Sequence, residues 1–335
     1  MFKGKLMKPI LLSFSRVVAL LLFLISLLLT SLMTHADDKG LTSERTRQLL
    51  TETFDVMQRE YIEQQVVADL KRLFLSRFEL GIYDELESLD EFARVLGKDL
   101  RALTGDNHLS LYTVNPDEKI THVISHQQGK LTYNFGFEQV RYLRGNIGYL
   151  KFNKFSPDEQ AREAVDAALN FLKHSDGLII DLRDTVGGSP DLVQYMLSYF
   201  LPVKTPLWYV LDSSNEKTAE MAALAGVSHA NFRGDLPVWL LTSSQTASAA
   251  EIFAGVLQAN ARAIVVGDTT ASAGFYVGVR HITERLAFRI SMFKPIITAT
   301  KTNWERTGIV PDIQTPAIDA LDLVVQKQGN TARGL

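Results

Sequence analysis

The feature that most constrains this chain is an alternation of short apolar runs with amphipathic stretches between residues 146 and 326. NIGYLKF (146–152), GLIIDLR (177–183), PVWLLT (237–242) and AIVVGD (263–268) read as strands, GLIIDLR being of the type buried on both faces. The intervening segments read as helices. SPDEQAREAVDAALNFLKH (156–174) opens with Ser156 as N-cap, Pro157 at the first helical position and Glu159 behind it. DLVQYMLSYFL (191–201), SAAEIFAGVLQAN (248–260) and AIDALDLVVQ (317–326) complete the helical set. RLAFRISMF (285–293) alternates instead, which predicts a half-exposed strand. Strands separated by helices of ten or more residues predict an α/β layer with right-handed crossovers.

The chain ahead of this region has two parts. Lys3, Lys5, Lys8 and Arg16 precede the apolar VVALLLFLISLLLTSLM (17–33), and small Ala36 is followed at once by acidic sequence. That order is expected of a cleaved signal peptide over 1–36, hence a periplasmic or secreted protein; if retained, the segment is long enough to anchor the chain in a membrane. Residues 37–110 are expected to form a small helical bundle. Leu49, Leu50, Phe54, Met57 and Tyr61 mark one apolar face, and Ser88 with Glu91 forms a capping-box signature before Phe92, Leu96 and Leu100. The α/β domain is expected over 111–330.

Charge and cysteine content exclude several classes. Without the four leader cations, Lys+Arg falls from 35 to 31 against 38 acids, near −7, which speaks against a nucleic-acid partner. There is no cysteine, so disulfides, thiolate metal sites and a cysteine nucleophile are excluded.

Four segments could carry chemistry. DLRDTVGGSPDL (181–192) joins a buried strand to a helix through two glycines, whose N–H groups could hold an anion or simply form a tight turn. TSSQTASAAE (242–251) is a second strand-to-helix junction. Ser248 there is either a helix cap or a nucleophile raised at the helix N-terminus, with the Ala249 N–H aimed at the same spot as that of Gly188. A serine nucleophile needs a base. His108, in GDNHLSLY beside Asp106 and Asn107, is a candidate, although a lone loop histidine is ordinarily a surface residue. Glu305, in NWERTGIVPDI (303–313), could orient an imidazole or could be a solvated acid.

Taken in order, GLIIDLRDTVGG, TASAAE followed by AIVVGDTT, and TGIVPDI resemble the C-terminal processing peptidases of the S41 type, over roughly residues 104–320. The resemblance implies a crotonase-like (ClpP/crotonase-type) α/β core with a small N-terminal helical bundle. One branch of the family pairs its serine with a lysine and usually carries a PDZ domain; this chain has Ala273 where that lysine would fall, and no room for the insertion. The closer match is to the branch containing the tricorn core and the interphotoreceptor retinoid-binding repeats, whose proteases use a histidine and a glutamate. Carried over, that implies Ser248 as nucleophile, His108 as general base, Glu305 as the group orienting it, and the backbone N–H groups of Gly188 and Ala249 as oxyanion hole. No cofactor and no metal is implied, and the partner would be a peptide or protein substrate. The alternatives are a non-catalytic protein holding apolar ligands on the same scaffold, and an esterase or other acyl hydrolase.

Overall fold

The computed structural model describes residues 41–115, 133–227, 232 and 234–331. The expected leader, 1–36, lies outside them, and among the described residues no helix is long and apolar enough to cross a membrane.

Three helices come first: α1 (Ser43–Glu60), α2 (Gln64–Glu79) and α3 (Leu89–Thr104). Ser88 caps α3 as expected, its hydroxyl accepting the Glu91 N–H at 3.2 Å, and Gly105 ends the helix in the left-handed region at φ 72°. β1 (Ser110–Thr113) follows, then β2 (Phe137–Leu143), β3 (Ile147–Phe152), α4 (Ala161–Leu172), β4 (Gly177–Asp181) and α5 (Pro190–Leu197). The remainder runs β5 (Pro206–Leu211), β6 (Lys217–Ala222), β7 (Val238–Thr242), α6 (Ala249–Ala259), β8 (Ile264–Gly267), β9 (Tyr276–His281), β10 (Leu286–Ile297), β11 (Ile313–Gln314) and α7 (Ala320–Thr331).

The alternating region builds one six-stranded sheet in the order β11-β8-β7-β4-β3-β2, parallel except for the β2–β3 pair. Its central strands β4 and β7 are apolar throughout and fully buried because both faces are covered, whereas the edge strand β2 is polar and largely exposed. Leu150, Leu178, Ile180, Leu240 and Val265 pack under α4, α5 and α6, whereas Tyr149, Ile179, Trp239, Leu241 and Val266 form a second cluster with Ala320 and Val324 of α7.

A second, antiparallel sheet runs β1-β10-β5-β6, with β9 also on β10. β10 is not half-exposed as its alternation suggests. Ala287 and Ser291, on the face opposite Phe288 and Ile290, are fully buried, because β10 pairs on both sides and the three N-terminal helices share one apolar cluster with Leu111, Leu286, Phe288 and Ile290.

A second expectation is corrected: Ser156 does not cap α4. Phe155 is held extended by an isolated parallel bridge to Gly188, and the Ser156 hydroxyl accepts the Asp158 N–H at 3.2 Å in a turn. The helix therefore begins only at Ala161, with Gln160 at the cap.

Candidate active site

β4, β7 and β8 are parallel neighbours, so the loops leaving their C-terminal ends emerge side by side, where α/β sheets place their ligands. The β4 and β7 loops are stitched together. Thr246 Oγ1 donates to the Leu182 carbonyl at 2.8 Å, and the Ala247 N–H donates to the Thr185 carbonyl at 3.0 Å. The turn they leave room for is tight. A Cβ on Gly187 would meet Ser248 Cβ at 2.9 Å and the Ala249 nitrogen at 3.2 Å, and one on Gly188 would meet the Phe155 carbonyl oxygen at 1.9 Å. Both glycines have positive φ, +100° and +132°, so no other residue fits here without displacing the serine or strand β3's exit.

Ser248 is the N-cap of α6 and lies at φ 55°, ψ −118°, a conformation that L-residues with a Cβ rarely adopt. Its N–H is held by Glu251 Oε2 at 2.7 Å. Among the described residues, no protein acceptor takes the N–H of Gly188 or of Ala249. Both are therefore available donors beside the serine, next to the positive end of the α6 dipole.

Glu251 is fully buried and carries more than the cap. Besides the Ser248 N–H it accepts Thr270 Oγ1 at 2.5 Å, the Ser272 N–H at 2.9 Å and the Ala273 N–H at 2.9 Å. Burial pushes its carboxyl above the usual range, and these four donors counteract that. The β8 loop is thus tied to the serine turn. Ala273 is buried and offers this site only its backbone N–H.

The same loop continues to the second half of the site. The Gly274 N–H donates to Glu305 Oε2 at 2.6 Å, and a Cβ on Gly274 would come within 2.4 Å of the Glu305 nitrogen. Asn303 braces the turn: its Nδ2 donates to the Gly274 and Pro295 carbonyls at 2.7 and 2.8 Å, and its Oδ1 accepts the Glu305 N–H at 2.7 Å. Arg306 docks this loop on the helices. Its Nε donates to the Thr104 carbonyl at the end of α3 at 3.0 Å, and Nη1 pairs with Glu63 at 2.9 Å.

That docking brings Glu305 to His108 and Asp106, and the donor atoms of the three side chains all lie within 4.8 Å of one another. His108 is 4% exposed and Asp106 is fully buried. Asp106 Oδ1 accepts the His108 backbone N–H at 2.9 Å and stands 3.6 Å from the ring Nδ1. Both ring nitrogens, Asp106 Oδ2 and Glu305 Oε1 are buried without a hydrogen-bond partner. Burial raises Glu305 most, reinforced by the Asp106 charge, to about 8. Burial acts upward on Asp106 too, but the His108 ring and N–H and Ser291 outweigh it and hold that carboxyl below the usual range.

The structure therefore gathers the sequence candidates into two groups, Ser248 with Gly188 and Ala249, and His108 with Glu305, joined by residues 270–274. Asp106, Glu251, Asn303 and Arg306 were not assigned roles from the sequence. Two had a legible signal: Glu251 stands three residues after the cap serine, and Asp106 two before the histidine. Donor type alone would admit a cation among Asp106, His108 and Glu305, but the tie through residues 270–274 to the serine turn suits the group to proton transfer instead.

Comparison with known proteins adds the family. The chain is 29% identical over 182 residues to the carboxyl-terminal-processing protease of Synechocystis sp., covering 53% of this chain and 40% of that one. It is 30% identical over 175 residues to the chloroplastic carboxyl-terminal-processing peptidase 2 of Arabidopsis thaliana, covering 51% and 32%. The match thus spans well under half the length of these relatives. A solved structure of a candidate peptidase from Parabacteroides merdae superimposes with a TM-score of 0.63 at 20% identity, covering 84% of this chain and 96% of that one, and so shares the fold. The profile of peptidase family S41 matches residues 146–315, half of the 335 residues, and the chain belongs to that family.

Proposed function

We propose that the protein is an exported serine peptidase that cleaves peptide or protein substrates through an acyl-enzyme on Ser248. The observation that carries the reading is the conformation of Ser248. A residue at φ 55°, ψ −118° at a helix N-terminus costs about 1–3 kcal/mol of backbone strain, and such strain persists where it serves a site. The reading is supported further by the position of the turn at the sheet's C-terminal edge and by the Gly188 and Ala249 N–H groups, which have no protein acceptor among the described residues.

In the mechanism, His108 takes the Ser248 proton as the hydroxyl attacks the carbonyl carbon, and returns it to the leaving amine. Glu305 completes the set behind the imidazole. The Gly188 and Ala249 N–H groups receive the developing oxyanion, each such donor contributing about 3–4 kcal/mol in comparable sites. Water then attacks the acyl-enzyme with His108 again as base. Export rests on the basic, apolar and small-residue order of 1–36.

A fluorophosphonate probe tests this on the mature protein. Wild type is expected to be labelled and Ser248→Ala not, and His108→Ala is expected to slow labelling on the order of 10³-fold. Labelling that survives in Ser248→Ala removes the nucleophile assignment, and a wild type that is never labelled returns the protein to the ligand-binding alternative.

A further inference from the structure

Two carboxyl groups, not one, lie against the His108 imidazole. Two carboxyl groups confined this closely out of water raise the cost of ionising each other, so one of the pair is pushed toward keeping its proton. The surroundings decide which. Asp106 is fully buried, already accepts the His108 backbone N–H, and has its free Oδ2 in the same pocket as the unpartnered ring nitrogens. The Arg289 guanidinium of β10, itself largely enclosed, is near enough to interact with the Asp106 charge. Tyr61 of α1's C-terminal end and Ser291 of β10 complete its surroundings, neither of them an anion at neutral pH.

Glu305 has a different neighbourhood. Its anionic form faces Asp106 and, further off, Glu251, while the cation beside it, Arg306, is already paired through both Nη groups with Glu63. One of its oxygens is fixed by the Gly274 N–H, which leaves Oε1 as the position that can carry a proton and donate.

We propose that Asp106 is the ionised carboxylate that positions His108 and balances its charge when it takes the serine proton, and that Glu305 holds the proton of the pair. Asp106 is thus a positioning residue beside the ring, and Glu305 a neutral donor that ties the 270–274 loop to the base. The inference rests on the serine-peptidase reading for its kinetic consequence but not for the proton assignment itself.

Two readouts on wild type, Asp106→Asn, Glu305→Gln and Ser248→Ala separate these. The first is the second-order rate of fluorophosphonate labelling between pH 5 and 9. Asp106→Asn is expected to slow it about 10²-fold or more and to move the acid limb to lower pH, since the anion that stabilises the imidazolium is gone. Glu305→Gln, which mimics the protonated acid, is expected to slow it about tenfold or less and to leave the acid limb within about half a unit. The opposite ranking overturns the proposal. Should Asp106→Asn fail to fold, Glu305→Gln alone decides: a loss of about 10²-fold or more overturns it.

The second readout is thermal unfolding of the same variants, which needs no catalysis. Glu305 binds its proton more tightly in the folded state, at about 8 against the ordinary 4.5 of a free glutamate, so between these values the folded protein holds a proton the unfolded chain has lost. Stability from this group therefore falls as pH rises through that window, and Glu305→Gln, which cannot ionise, is expected to gain on wild type from pH 5 to 8. A flat difference, or the same gain in Asp106→Asn instead, places the proton elsewhere. Loss of labelling in every protein with the stability trend intact would remove the serine chemistry while leaving the proton assignment standing.

Discussion

Glu251 is the residue on which the strained serine turn depends. Each of its oxygens accepts two donors, Thr270 and Ser272 on one, Ser248 and Ala273 on the other, so neither has a place for an N–H group. Glu251→Gln turns one oxygen into a donor facing donors. We expect a loss of about 2–4 kcal/mol, read as a lower urea midpoint at unchanged slope, because buried N–H groups are left unsatisfied. A midpoint within experimental error of wild type would mean that the turn is held by its packing alone. From the sequence, the serine and the acid three positions later are legible as a capping box. That the acid also fixes a loop twenty residues further along is not, because nothing local in TTASAG calls for a carboxylate.

Among the elements, the long connection after β10 decides whether the base and its carboxyl partners meet. Arg306 fastens that connection to the end of α3, where a cation satisfies an orphan carbonyl and suits the helix dipole, and to Glu63 at the head of α2. Arg306→Ala is expected to slow fluorophosphonate labelling about tenfold or more, since small misplacements of catalytic groups are costly, while shifting the thermal midpoint by only a few degrees. Arg306→Lys is expected to recover little of the rate, because a point charge cannot span Thr104 and Glu63 together; full recovery would reduce the latch to simple charge. Element positions themselves were largely readable: each apolar run of the alternating region is a strand of the main sheet. The start of α4 was not, since the bridge from Phe155 to Gly188, a contact across more than thirty residues, keeps the chain extended past Ser156.

At the scale of the molecule, the N-terminal helices and the antiparallel sheet share one apolar cluster, with Phe288 fully buried in it. Phe288→Ala is expected to cost about 3–5 kcal/mol, and helix and tertiary signals should be lost together in one transition. Separate transitions would show that the helices hold a core of their own. The sequence by itself determined the parallel α/β layer, through runs apolar enough to be covered on both faces, and marked Ser248 at a strand-to-helix turn. It also supplied His108 and Glu305 as candidates, nearly two hundred residues apart. Only the tertiary structure decided that they meet, that Asp106 joins them, and how the charge divides between two acids. Those outcomes depend on burial and on distances between segments remote in the chain, and a carboxyl group's ionisation is set by its neighbours in space, which residue order does not specify.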